Sequence, residues 1–203
     1  MKNIAFLLFL SLCFSQITAQ ERFVSLEGSF SLPTGEFAEG FSYGVGANAS
    51  YTYGINKRYA AVGLFGVNFF QTKDDGVFEN EPQAFYYQIP IEVGIRYFPF
   101  EIKNGPYAGL LTGINFQDVF IGNQSEPVDE KDGYYSLTPE AGWFLSRNIS
   151  VALRYRFTFI PERFEEESIV VEGPDGRNTL ETRDVKRDEE ILSYLSLQVA
   201  YNF

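Results

Sequence analysis

The chain has 203 residues, with 27 acidic against 16 basic side chains, no histidine and one cysteine. A net charge of −11 leaves no basic face for nucleic acid, and one cysteine excludes a disulfide framework. The missing histidine removes the usual base of acyl-transfer sites and the His/Cys set of a zinc site.

Residues 1–19 read as a secretory signal: Lys2 gives a positive start, Ile4 to Phe14 an apolar core, and Ala19 a small residue at the cut. Cleavage there leaves Gln20 first in a domain spanning 20–203. Cys13 lies inside the apolar core, and the large Leu12 before it argues against lipidation. The rest of the chain holds no apolar run of the about 18 residues that a membrane helix needs. Yet 17% of the sequence is aromatic, including 21 Phe and 13 Tyr. That combination fits strands alternating between lipid-facing and interior-facing residues.

Strand one, about Arg22 to Leu32, sets Val24, Leu26, Phe30 and Leu32 against Ser25, Glu27, Ser29 and Ser31. Pro33-Thr34-Gly35 breaks it, and a loop runs to about Ser42. Strand two, about Tyr43 to Tyr53, alternates Val45, Ala47, Ala49 and Tyr51 against Asn48, Ser50 and Thr52, then turns at Gly54 to Arg58. Strand three, about Tyr59 to Gln71, has ambiguous parity, since Val62, Leu64, Phe65 and Val67 are apolar on both faces. A polar loop, Thr72 to Gln83, follows. Strand four, about Ala84 to Phe98, sets Tyr87, Ile89, Ile91, Val93, Ile95 and Tyr97 against Gln88, Pro90, Glu92 and Arg96. A short turn leads to strand five, about Pro106 to Phe116, glycine-rich and again ambiguous. After the loop Gln117 to Lys131, strand six, about Gly133 to Leu145, places Ser136, Thr138 and Glu140 opposite Tyr135, Leu137 and Trp143. Pro90 and Pro139 donate nothing to a ladder and call for a bulge or a rim position.

Strand seven, Ile149 to Phe159, fixes the inside. Arg154 and Arg156 share a face, and an arginine on the lipid face costs about 2–4 kcal/mol at the midplane. Tyr155 therefore meets lipid. The same parity turns Glu92, Arg96 and Glu140 inward, joined by Glu27, Gln88, Asn48 and Gln198. Buried charges need partners, so a central network is expected in which Glu92 and Glu140 pair with Arg96, Arg154 and Arg156. Glu92 and Glu140 could also be read as an acid/base pair, but among arginines they are better explained as countercharges.

Pro161 to Glu190 carries 11 acidic and five basic residues. Ser168 to Glu172 and Asn178 to Thr182 flank the turn signal Pro174-Asp175-Gly176, so strands seven and eight are expected to continue outward as a protruding hairpin. Strand eight, Ile191 to Phe203, alternates Leu195, Leu197, Val199, Tyr201 and Phe203 with Ser196, Gln198, Ala200 and Asn202. Connections one, three, five and seven are long and the others short, the layout of an all-β, eight-stranded, antiparallel up-and-down transmembrane barrel. Aromatics gather towards both rims as two girdles, among them Tyr51, Tyr53, Phe98, Tyr107, Trp143 and Phe203 at the short turns, and Phe30, Phe70, Tyr135 and Phe159 at the long loops.

Five short stretches resemble the small bacterial outer-membrane barrels of the porin-family or OmpA/OmpX-like kind common in Bacteroidetes. They are Leu32-Pro33-Thr34-Gly35-Glu36-Phe37, Tyr87-Gln88-Ile89-Pro90 leading to Gly94-Ile95-Arg96-Tyr97, Gly105-Pro106-Tyr107-Ala108-Gly109, Thr138-Pro139-Glu140-Ala141-Gly142, and Tyr201-Asn202-Phe203. The resemblance implies residence in the outer membrane and contact with its lipid and lipopolysaccharide. It also implies insertion by the barrel assembly machinery, with Leu195, Leu197, Val199, Tyr201 and Phe203 as the assembly signal. A structural or interaction role in the envelope is expected, without cofactor or enzymatic activity, and with an extracellular or envelope protein partner at the fourth outside loop. A narrow porin-like channel is the alternative, and a soluble ligand-binding barrel or enzyme the third reading.

Overall fold

The computed structural model describes residues 21–73, 84–121, 133–172, 178–187 and 189–203. The expected signal with Cys13, most of the second and third outside loops, and the Pro174-Asp175-Gly176 turn lie outside the described residues.

Eight strands close into a barrel: β1 (Arg22–Thr34), β2 (Phe41–Gly54), β3 (Tyr59–Thr72), β4 (Ala84–Tyr97), β5 (Gly105–Ile121), β6 (Gly133–Phe144), β7 (Ile149–Ile160) and β10 (Glu190–Asn202). Each pairs antiparallel with its neighbour in the chain order of the barrel, and β1 meets β10 to remove the last edge. Partners followed once around the barrel from Val24 pass through Tyr51, Gly63, Val93, Thr112, Leu137, Phe157 and Ser193 and return to β1 at Thr34. This stagger tilts the strands by roughly 40° and fixes which inward side chains meet across the lumen.

Alternation decides the two faces. Leu26, Phe65, Val93, Leu110 and Leu197 stand exposed on the outside, while Ser25, Asn48, Gln88, Thr138 and Gln198 are buried within. The ambiguous strands resolve because the lumen is not wholly polar. Val62 and Leu64 of β3 point inward and pack with Leu111 of β5, leaving Phe65 for the outside.

Several expectations need correction. The first outside loop is largely structured: β1 runs to Thr34, and a one-turn helix α1 (Phe37–Gly40) precedes β2. Strand five extends to Ile121, past the expected loop start at Gln117. Pro90 and Pro139 sit neither at a bulge nor at the rim. The β3–β4 ladder skips from the Phe65–Ile91 pair to Asn68–Gln88, and the β6–β7 ladder from Leu137–Phe157 to Glu140–Arg154, each without a change of register. Each proline forgoes hydrogen bonds on one side and keeps its pairing on the other, with Asn115 and Leu110 respectively. The fourth outside segment does form a hairpin, β8 (Arg163–Glu172) with β9 (Asn178–Arg187), but as a separate two-stranded sheet rather than a continuation of the barrel ladder. The break falls at Pro161-Glu162, where a proline cannot carry the ladder onward.

The aromatic girdles also lose members to the interior. Phe98, Tyr107 and Phe70 are buried, not lipid-facing. At the short-turn end Phe23, Phe98, Tyr107 and Phe144 pack with Ile102, Ala60 and Ala152 into a plug. At the outer end Phe37, Phe70, Tyr86 and Tyr194 form a second plug, flanked by Phe41 and Leu192. The polar interior lies between these two apolar stoppers.

Candidate functional site in the barrel interior

Three carboxylates and three guanidiniums share the lumen. Glu140 of β6 is the centre. Its Oε1 accepts from Arg96 Nε at 2.5 Å, and its Oε2 accepts from Arg154 Nε at 2.9 Å and Arg96 Nη2 at 3.2 Å. Arg154 also donates through Nη1 to Glu27 Oε2 at 2.5 Å, and Ser50 Oγ donates to the other Glu27 oxygen at 2.8 Å. Arg96 spends its Nη1 on Thr52 Oγ1 at 3.1 Å. This chain of ions joins β1, β4, β6 and β7.

A second group lies further out. Arg156 forks onto Glu92, Nε to Oε1 at 2.9 Å and Nη2 to Oε2 at 2.7 Å. Ser136 and Thr138 hydroxyls donate to the same Oε1 at 3.0 and 2.7 Å. Arg156 Nη1 donates to the Tyr194 hydroxyl. Because β4 and β7 are separated by two other strands, the Glu92–Arg156 fork crosses the lumen.

Among the sequence-derived candidates, Glu92, Arg96, Glu140, Arg154 and Arg156 are all inside, but in two groups: Arg96 and Arg154 on Glu140, and Arg156 on Glu92. Glu27 is the missing third carboxylate. Parity alone turned it inward, but its pairing with Arg154 requires closure of β1 on β10, which strand patterns do not encode. Tyr107 and Tyr194 were also missed. They form faces on which Arg96 and Arg156 rest, at 5.2 and 5.4 Å from the ring centres, and so join the ion layer to the inner and outer plug respectively.

The interior charges are paired with one another. The six charges balance, and each carboxylate accepts at least two hydrogen bonds. The side chains of these ion pairs are at most 5% exposed. All three carboxylates are buried and bonded to arginine, the arrangement of countercharges. Glycines make the room: a Cβ on Gly109 would meet Glu140 Oε1 at 2.6 Å, and one on Gly142 the Tyr107 ring at 2.4 Å. Among the described residues no cluster of His, Cys, Asp or Glu could hold a metal ion.

The last strand shows both faces at work. Leu195, Leu197, Val199, Tyr201 and Phe203 point outward and are exposed. Between them Asn202 is buried, accepts from Ser25 Oγ at 2.7 Å and donates to Ser150 Oγ at 3.2 Å, riveting β10 to both neighbours. Phe203 N donates to the Val24 carbonyl at 2.9 Å, extending the closing seam.

No family model and no curated protein matches the chain. Solved structures do. Ail, the attachment invasion locus protein of Yersinia pestis, determined in complex with the heparin analogue sucrose octasulfate, matches with TM-score 0.52 and 14% identity over 91% of this chain and 99% of its own. Neisserial surface protein A matches with TM-score 0.49 and 15% identity over 90% and 97% of the two chains. The outer membrane protein OprG of Pseudomonas aeruginosa matches with TM-score 0.49 and 12% identity over 90% and 95%. The structural neighbours are small outer-membrane barrels, and the chain has their fold, here eight antiparallel strands closed into a barrel.

Proposed function

We propose that this protein is an integral barrel of the bacterial outer membrane with a structural or interaction role, not an enzyme and not an open pore. One observation carries this reading. Large apolar side chains such as Leu26, Phe65, Val93, Leu153 and Leu197 are exposed around the barrel, while Glu27, Glu92, Arg96, Glu140, Arg154 and Arg156 are buried inside. That inversion is stable only where lipid surrounds the barrel. A soluble lipocalin-like barrel would place its apolar face inward and its charges outside.

Within the envelope, the filled lumen serves as a set of struts. The ion pairs tie β1, β4, β6 and β7 together across the space that a channel would need. The outward face of β10, Leu195 to Phe203, is the segment that the barrel assembly machinery would read. The β8–β9 hairpin is the contact element: among the described residues neither edge carries another strand, so an envelope or extracellular partner could add one there. The sulfated ligand of the Ail complex does not transfer to this chain. With 11 acidic against five basic residues in the 161–190 segment, its outer side opposes a polyanion.

Fractionation of cells, with gel mobility compared before and after boiling, tests the location. The expected result is an outer-membrane protein whose band shifts on heating. A periplasmic, unshifted band would overturn the reading. Planar-bilayer recording of the purified barrel should be silent, and steady single-channel steps would restore the channel alternative.

A further inference from the structure

Among the described residues, four buried amide atoms find no hydrogen-bond partner in the protein: Asn48 Oδ1, Asn68 Nδ2, Gln88 Oε1 and Asn115 Oδ1. Three of them form one group. Asn68 is paired directly with Gln88 across β3 and β4, and Asn115 stands on β5 opposite Pro90, one inward position below Gln88. All three residues are essentially unexposed. Each already uses its other amide atom. Asn68 Oδ1 accepts from Ser29, Gln88 Nε2 donates to Tyr86, and Asn115 Nδ2 donates to Thr158. What remains is one donor and two acceptors on three adjacent strands, at neighbouring inward positions. That set complements a water or an alcohol, which can accept once and donate to an amide oxygen.

The roof over this layer is the outer plug. Phe70 and Tyr86 lie one inward position above Asn68 and Gln88 on the same strands, and the ring of Phe37 packs on both, at 5.0 and 5.4 Å between centres. Phe37 alone of the four plug rings comes from outside the barrel strands. It rides on the single turn of α1, between Gly35 in the left-handed region (φ 59°) and Gly40, with no side-chain cap. Its tether to β3 is Lys73: the backbone N donates to Gly40 O at 2.9 Å, and Nζ donates to Ala38 O. Beneath the amides the Glu92–Arg156 fork seals the floor.

We propose that α1 is a lid over a cryptic, blind chamber in the outer half of the barrel, which takes water and small neutral hydroxyl-bearing solutes when Phe37 lifts. The closed form leaves buried amides unsatisfied, and the open form hydrates them, so the two are closer in energy than burial of a phenylalanine alone would make them. Neutrality follows from the floor, where Glu92 and Arg156 already satisfy each other and present no net charge to a solute.

The test uses Ser31, a fully buried inward residue one position above Ser29 on β1, as a reporter in a Cys13→Ser background. Ser31→Cys is reacted in detergent micelles with the neutral hydroxyethyl methanethiosulfonate, and with its cationic and anionic analogues. Adding Phe37→Ala should speed the neutral reaction at least tenfold while the heat-shifted band stays intact. The charged reagents should remain at least tenfold slower. Gln88→Met, which removes an unpaired acceptor, should slow the neutral reaction. Equal rates with and without Phe37→Ala in a barrel that still shifts on heating would overturn the lid. Charged and neutral reagents reacting alike would overturn the neutral chamber.

Discussion

The two plugs of the barrel are built from similar rings but held in different ways. At the short-turn end Phe23 and Tyr107 come from β1 and β5, and Phe144 closes β6. Phe98 follows β4 directly and is held by a backbone bond from its N to the Arg58 carbonyl at 2.7 Å. At the outer end the central ring, Phe37, opens a four-residue helix that follows Gly35 and ends on Gly40. A ring fixed by a strand can leave only if the barrel opens, whereas a ring on a short turn can leave alone. The same chemistry therefore gives a fixed stopper at one end and, at the other, a stopper with one removable ring.

Both plugs rest on the ion layer, so its loss should erase the difference between them. Arg154→Ala leaves Glu27 without the arginine bonded to it and Glu140 with Arg96 as its remaining bonded arginine among the described residues. Breaking a buried pair by removing one partner costs about 3–5 kcal/mol. The expected result is a large drop in the urea midpoint of the folded barrel, read from the heat-shifted band. A midpoint near that of the parent would mean the pairs are not struts.

The plugs themselves should then separate. Phe98→Ala removes a fully buried ring at a fixed position and should cost about 3–5 kcal/mol in global unfolding. Phe37→Ala removes an equally buried ring, yet α1 can lift without unfolding the barrel. Its global cost should be clearly smaller, with the effect concentrated in faster amide exchange over 35–41. Equal global costs would put Phe37 in the same class as Phe98.

Space is the next test of the fixed end. Gly142→Ala drives a methyl into the Tyr107 ring, with a Cβ contact of 2.4 Å, while Gly28→Ala meets nothing within 4 Å on the outer face. Overpacking of this kind costs about 1–3 kcal/mol. Thermal melts in detergent should show Gly142→Ala lowered and Gly28→Ala unchanged or slightly raised.

Much of this arrangement was legible in the sequence, and the unreadable parts share a cause. Strands β7 and β10 declared their faces because Arg154, Arg156 and Gln198 alternate with Tyr155, Leu197 and Val199. Strand β3 did not, since Val62 and Leu64 line an apolar part of the lumen, where hydropathy no longer separates inside from outside. Residence in the lumen followed from parity, but partnership did not. Glu27 meets Arg154 only through the stagger of the closed barrel, a property of all eight strands together. Aromatic residues near a rim suit a lipid girdle and an inner plug equally well by composition, so Phe70, Phe98 and Tyr107 were assigned to the wrong side. The lid was invisible because four residues are too few for a helical period, and Pro33-Thr34-Gly35 signals only a break.

The smallest expected effect bears directly on how the outer plug is fastened. Lys73 holds α1 by two bonds, and only the one from Nζ to the Ala38 carbonyl depends on the side chain. Lys73→Ala keeps the backbone tether to Gly40 and removes the other. A typical hydrogen bond contributes about 0.5–1.5 kcal/mol net, and solvent at the exposed Lys73 side chain offsets much of what its charge adds. That energy belongs to the lid and not to the barrel, since no barrel ladder uses the side chain. Melting temperature should therefore stay within error of the parent, while amide exchange over 37–40 quickens severalfold. Lys73→Arg should restore slow exchange if the donor matters, whereas Lys73→Met should not, having the stem without the charge. If all three variants exchange at the parent rate, Phe37 packing alone fastens the lid and Lys73 is a bystander.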